Sequence, residues 1–244
     1  QELPGGEVLI LAGDVAEARS ISKHFHSTKI LSDKPIEAYR CSEFFAHECK
    51  KYEKVFYVLG NHEHYHGDFA ETVPQLKKHL GYIPNLHILD RECVTVGDVT
   101  FIGGTLWTDM NQRDPLTLYH MTSMMNDFRC VLNSNSKVSY KKMVPMLDEN
   151  GRQQTNQDGT VRYQAEFSTR PAKFSPGDAV EEFDAMVGYI RTVTEGRYDQ
   201  KFVVVGHHAP SRLSIHERYR HDTVMNGGYS SNLDEFIQIG RAHV

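Results

Sequence analysis

The sequence predicts an α/β fold, and three short stretches carry that expectation. They are "GEVLILAGD" (6–14), "KVFYVLGNHE" (54–63) and "KFVVVGHHAP" (201–210). Each is a β-rich apolar run that stops at a glycine and passes into acids, amides or imidazoles. That is the pattern of a buried strand delivering polar groups to a sheet edge. At 244 residues, 39% hydrophobic and 24% charged, the chain is long enough to bury one large core.

Between these runs the residues from Pro35 to Tyr52 have helical spacing, with proline near the start where helices tolerate it. "LHIL" (86–89) is a further short run. "CVTV" and "VTFIGG" alternate on either side of Gly97-Asp98 and read as a β-hairpin, which sets antiparallel pairing beside the βα alternation. Residues 131–175 are rich in turn formers ("NSNSK", "DENGRQQTNQDGT", "STRPAKFSPGD") and read as an inserted lobe with an exposed hairpin. Ser175-Pro176 then opens a helix running to about Thr194. One domain is expected over 1–238. "IGRAHV" (239–244) matches what a common sequencing adapter encodes, so this tail is expected to be non-native.

A formal charge of -5 and a pI near 6.3 lack the basic field that sequence-independent nucleic-acid binding needs. Cys41, Cys49, Cys93 and Cys130 show no paired spacing and fit reduced thiols, which favours a cytoplasmic setting. No apolar run reaches the roughly 18 residues of a membrane span, and neither a signal peptide nor a protein partner is legible.

The strand ends bring together Asp14, then Asn61 with His62, then His207 with His208. Strand ends in α/β sheets can aim several loops at one point. Carboxylate and amide oxygens mixed with imidazole suit Mn, Fe or Zn, the mixture a hydrolytic two-metal site requires. His64 and His66 follow His62 at alternate positions, so an extended loop would put three imidazoles on one side as a separate metal clip. Arg212, Arg218 and Arg220 make residues 211–222 a candidate substrate wall, since arginine forks suit phosphate oxygens. Trp107, the only tryptophan, is expected at the edge of the core. His24, His26 and His87 have no constellation around them and read as structural.

"GD" at 13–14, "GNHE" at 60–63 and "GHHAP" at 206–210, in that order, resemble three signature blocks of the calcineurin-like metallophosphoesterases. The resemblance spans most of the chain, although 131–175 contributes no motif. It implies a four-layer αββα sandwich, two mixed sheets flanked by helices, with two divalent ions (Mn, Fe or Zn) at the sheet edges. It further implies that Asp14 bridges both ions and that Asn61 and His207 ligate the second. His62 would be the catalytic histidine beside the leaving-group oxygen, with Glu63 as the partner that orients it. His208 is a candidate for phosphate contact, for support of the neighbouring ligand, or for the ligand role itself.

Two family blocks are missing: Asp-x-His does not occur before Asp14, nor Gly-His-x-His after His208. The chain is therefore expected to be truncated at both ends, and the fragment itself to be inactive. The implied activity is metal-dependent hydrolysis of phosphate mono- or diesters, by hydroxide generated at two metals. Its rivals are a nuclease or cyclic-nucleotide phosphodiesterase of the same fold, and a scaffold that has lost catalysis.

Overall fold

The computed structural model describes residues 3–21 and 43–239. His24, His26, Cys41, the first part of the helix expected from Pro35 and residues 240–244 lie outside the described residues. The architecture is mixed α/β. Strands β1 (Gly6–Ala12), β2 (Tyr52–Val58) and β3 (Leu86–Leu89) form a parallel sheet in that order. Its register aligns Ala12, Val58 and Leu89, so three chains leave the sheet at the same edge.

The hairpin expected around Gly97-Asp98 is present as β4 (Glu92–Val96) and β5 (Val99–Gly103), with Gly97 at φ 60° where a tight turn requires it. Residues 132–173 form a second, long hairpin of β6 (Leu132–Pro145) and β7 (Tyr163–Lys173), most of whose side chains are exposed. Strand β8 (Lys201–Val205) then pairs in parallel with β5, Val205 opposite Gly103, completing a mixed sheet ordered β4-β5-β8. Of the two mixed sheets expected, the β1-β2-β3 sheet is wholly parallel among the described residues.

Alternation along the strands divides the core into three apolar layers. Phe56, Val58 and Leu89 of one sheet meet Val205, Val94 and Phe101 of the other. The opposite face of β2, Val55 and Tyr57, packs under Leu76 and Leu80 of helix α1 (Phe69–Leu80) and under Phe45 and Cys49. Ile102 of β5 faces a third layer in which Phe183, Met186 and Ile190 of helix α3 (Pro176–Thr194) lie buried with Trp107 and Phe174. Neighbouring residues on a strand point to opposite faces, so the adjacent apolar residues of β2 serve two layers at once.

The helix from Ser175 follows the expected course. The Ser175 Oγ accepts from Asp178 N at 3.1 Å while the Asp178 carboxylate accepts from Ser175 N at 2.7 Å, with Pro176 in the first turn. The helix expected to run to Tyr52 ends sooner. Residues 43–48 are helical, Cys49–Lys51 tighten into a 3-10 turn, and Tyr52 already pairs with Gly6 in the sheet. Two further helices, α1 and α2 (Pro115–Met124), are not among the elements the sequence patterns mark. Among the described residues no helix is long and apolar enough to cross a membrane.

Loss of the α3 cap is directly measurable. Ser175→Ala is expected to lower unfolding free energy by about 1 kcal/mol, read by urea denaturation, with an unchanged far-ultraviolet spectrum of the native state.

Candidate metal centre

The shared edge of the parallel strands explains how distant residues converge. Two residues past Ala12 the backbone turns through Gly13 (φ 89°) into Asp14, which sits in the left-handed region at φ 57°. Past Val58 the chain reaches Gly60 and Asn61, and past Val205 it reaches His207. A Cβ on Gly60 would lie 2.2 Å from Asp14 Oδ1 and 2.8 Å from His207 Cε1, so this position requires glycine. A Cβ on Gly13 would lie 2.5 Å from Gly60 N.

Asp14, Asn61 and His207 come together. His207 Nε2 lies 3.1 Å from Asn61 Oδ1 and 3.5 Å from Asp14 Oδ1. The other ring nitrogen, Nδ1, is 2.8 Å from the Ala12 carbonyl, which can only accept, so Nδ1 carries the hydrogen. In the neutral ring, Nε2 then offers a lone pair toward two oxygens. A ligating histidine held by a backbone carbonyl at its other nitrogen is the usual arrangement around bound metals, and this donor set fits a divalent ion. Among the described residues no three His, Cys, Asp or Glu side chains form a metal cluster; the third donor of the converging trio is an amide.

His62 lies beside this trio. Its backbone N donates to Asp14 Oδ1 at 3.1 Å, its Nδ1 is 3.5 Å from Asp14 Oδ2, and its half-exposed ring packs on Tyr65 with centroids 4.4 Å apart. Glu63 does not orient it. The Glu63 carboxylate, 1% exposed, accepts from the backbone N–H groups of Gly60 (2.8 Å), Asp14 (2.9 Å), Val15 (2.7 Å) and Ala16 (3.3 Å) and from the Tyr57 hydroxyl (2.7 Å). Its oxygens are committed to holding the Asp14 loop against the Gly60 loop. The ring next to it in sequence faces Asp14 instead.

The three-imidazole clip does not form. Residues His62–His64 make a 3-10 turn rather than an extended loop, which sends the rings apart. His62 faces the cavity and His66 is exposed. His64 is buried, stacked on Phe69 at 4.7 Å, with no hydrogen-bond partner in the protein for either ring nitrogen. Burial pushes its pKa down to about 3. His208 is also buried and stacks on Trp107 at 5.2 Å, its pKa pushed down to about 4 by burial and then by His207 beside it. Trp107 is accordingly core.

A cavity of about 460 Å³ opens over the trio, lined by Asp14, Asn61, His62, His207 and His208 and, among others, by Tyr65, Asp127 and Tyr229. Arg212, Arg218 and Arg220 do not line it. Arg212 Nη2 donates to Asn111 Oδ1 at 2.8 Å, Arg218 lies over the Tyr219 ring, and Arg220 Nε donates to the Ile215 carbonyl. Asp127 and Tyr65 carry no motif, yet both reach the site. The Tyr65 hydroxyl donates to Asp127 Oδ2 at 3.2 Å, and burial, with that carboxylate beside it, holds the phenol protonated above the usual tyrosine range.

No family model matches the chain, and no solved structure matches it. It is similar to "Uncharacterized protein L509" of Acanthamoeba polyphaga mimivirus, 26% identical over 135 residues. The match covers 53% of this chain and 46% of the viral protein.

Two outcomes follow from the buried groups. Glu63→Gln replaces one acceptor oxygen with an amide that can only donate, opposite hydrogens that need acceptors. It is expected to destabilise the fold by about 2 kcal/mol or more, and to speed hydrogen exchange at the Asp14 and Val15 amides. For His64 the folded pKa lies below that of the unfolded chain, so unfolding takes up a proton between pH 6.5 and about 3. Its contribution is complete above pH 6.5 and is lost as pH falls, by up to about 1.4 kcal/mol per unit. His64→Leu is expected to flatten that part of the stability profile, measured by urea denaturation between pH 7 and pH 4.

Proposed function

We propose that the chain is the core of a metal-dependent phosphoesterase with the αββα sandwich of the calcineurin-like metallophosphoesterases. The observation that carries the reading is the convergence of Asp14, Asn61 and His207 across two sheets, 3.1 and 3.5 Å apart, with His207 Nδ1 held by a backbone carbonyl. The order of layers, helices outside two facing sheets with the site at the strand ends, supports the same fold.

In this reading Asp14, Asn61 and His207 hold divalent ions. Such ions activate water for attack on phosphorus and offset phosphoryl charge. The chain's own part in the reaction is positional and acid–base. Glu63 fixes the two loops, so that Asp14 and Asn61 keep their spacing while substrate enters. His62, half exposed in the cavity with Nδ1 toward Asp14 Oδ2, keeps Nε2 for the leaving-group oxygen. A proton held there is delivered as the alcohol departs. The sparse basic charge of the cavity walls favours a small ester over a polynucleotide.

The test is hydrolysis of an aryl phosphate monoester and the matching diester with added Mn²⁺. It uses a version of the chain supplied with an Asp-x-His block before it and a Gly-His-x-His block after it. Metal-dependent turnover is expected, reduced about 100-fold or more by His62→Ala, with the better substrate fixing the ester class. Mn²⁺ bound without turnover of either ester would move the reading to a scaffold.

A further inference from the structure

Asn61 can ligate a cation only through its oxygen, and an amide presents oxygen or nitrogen according to how its plane is turned. At this site the rest of the network decides. The His207 Nε2 lone pair lies 3.1 Å from Asn61 Oδ1, an arrangement that by itself favours turning the amide over so that Nδ2 donates to the ring. What opposes that turn stands on the other side. Asn61 Nδ2 donates to the Tyr65 hydroxyl at 3.4 Å, and that hydroxyl donates its only hydrogen to Asp127 Oδ2 at 3.2 Å. The chain of bonds has one direction: Asn61 N–H to Tyr65, Tyr65 O–H to Asp127.

The surroundings make that direction firm. Asp127 is 1% exposed, and its other oxygen has no hydrogen-bond partner in the protein, so Tyr65 supplies a main share of its compensation. Tyr65 is in turn pinned by packing against the His62 ring. We propose that Tyr65 and Asp127 are positioning residues that set the amide of Asn61 oxygen-inward and thereby set the affinity of the centre for its metal. The proposal rests on reading Asp14, Asn61 and His207 as metal ligands.

The test is a calorimetric titration with Mn²⁺ alone of the same version of the chain, supplied with both blocks, made with Tyr65→Phe, Asn61→Asp and the double variant. Tyr65→Phe keeps the ring on His62 and removes both hydrogen bonds. With Asn61 present it is expected to weaken Mn²⁺ binding about 10- to 100-fold. A carboxylate has two equivalent oxygens and no orientation to set. In the Asn61→Asp background the same change is therefore expected to leave affinity within about twofold, the scatter of residues that do not interact. Asp127→Asn, which lets residue 127 donate to the phenol and releases its hydrogen, is expected to repeat the pattern and carries the test if Tyr65→Phe does not fold. An equal loss in both backgrounds, or none with Asn61, overturns the proposal. Absence of Mn²⁺ binding by the unaltered chain overturns the metal reading beneath it, and is distinguishable because it precedes any variant.

Discussion

The site depends on one buried carboxylate. Glu63 lies in the 3-10 turn beyond β2 and accepts five hydrogen bonds, three from consecutive backbone amides that follow β1. A carboxylate taken out of water is tolerated only when such donors replace the solvent it has lost. Remove it, and four backbone N–H groups at two sheet exits lose their acceptor together. The same short loop contains Gly60, whose missing Cβ leaves room for Asp14 and His207, and Asn61, whose oxygen meets the His207 ring. Spacing and access at this edge are thus set by four consecutive residues.

Much of the fold was legible because its causes are local. Apolar runs ended by glycine, the Gly97-Asp98 turn and the Ser175-Pro176 cap each act within a few residues, and each stands where it was expected. Convergence of Asp14, Asn61 and His207 was legible for a related reason: the parallel strands β1 and β2 deliver Asp14 and Asn61 to one edge, and β8 of the facing sheet ends beside it. The orienting role that the resemblance implies for Glu63 is not what the structure shows, because a 3-10 turn separates its carboxylate from the His62 ring and commits it to backbone amides. The same turn dissolves the His62, His64 and His66 clip. Tyr65 and Asp127 meet across 62 positions of chain, so no spacing rule could pair them. The amphipathic signal of α2 is absent for a physical reason as well, since buried Thr117 and Met121 are flanked by exposed Leu116 and Tyr119.

Backbone strain is distributed unevenly, and its distribution bears on function. Among the described residues, positive φ at non-glycine positions occurs at Asp14, His66, Arg91, Leu106, Trp107 and Met110–Arg113. Each follows the carboxyl end of β1, β2, β3 or β5. Those ends are neighbours: a Cβ on Gly103 at the end of β5 would strike Leu89 and Val58 at the ends of β3 and β2. The four residues Met110–Arg113 form a left-handed turn, closed by Arg113 N to Asp109 O at 2.7 Å and Asp114 N to Met110 O at 3.1 Å. Such a conformation costs about 1–2 kcal/mol per residue, and Asn111 holds it through Thr117, Thr223 and Arg212.

Elsewhere the chain avoids that cost. The β4–β5 turn, the hairpin tip and the exit from α3 reach positive φ with Gly97, Gly151, Gly159 and Gly196, where the conformation is free of a Cβ clash. Glycine was available at the strained edge too, and is used there at Gly13. Side chains at Asp14 and Trp107 are instead kept in spite of the backbone they require. Asp14 contributes a converging oxygen, and Trp107 carries His208 on its face and Phe174 behind it. Of the buried polar atoms without a protein partner, those of His64, Thr108 and Asp109 lie on the same loops, while those of Asp127 and His87 lie in a short helix and within β3. Backbone strain concentrated at one end of two sheets, with glycine taking the positive φ elsewhere, marks where side-chain placement outweighs stability. That end is the one where Asp14, Asn61, His62 and His207 meet.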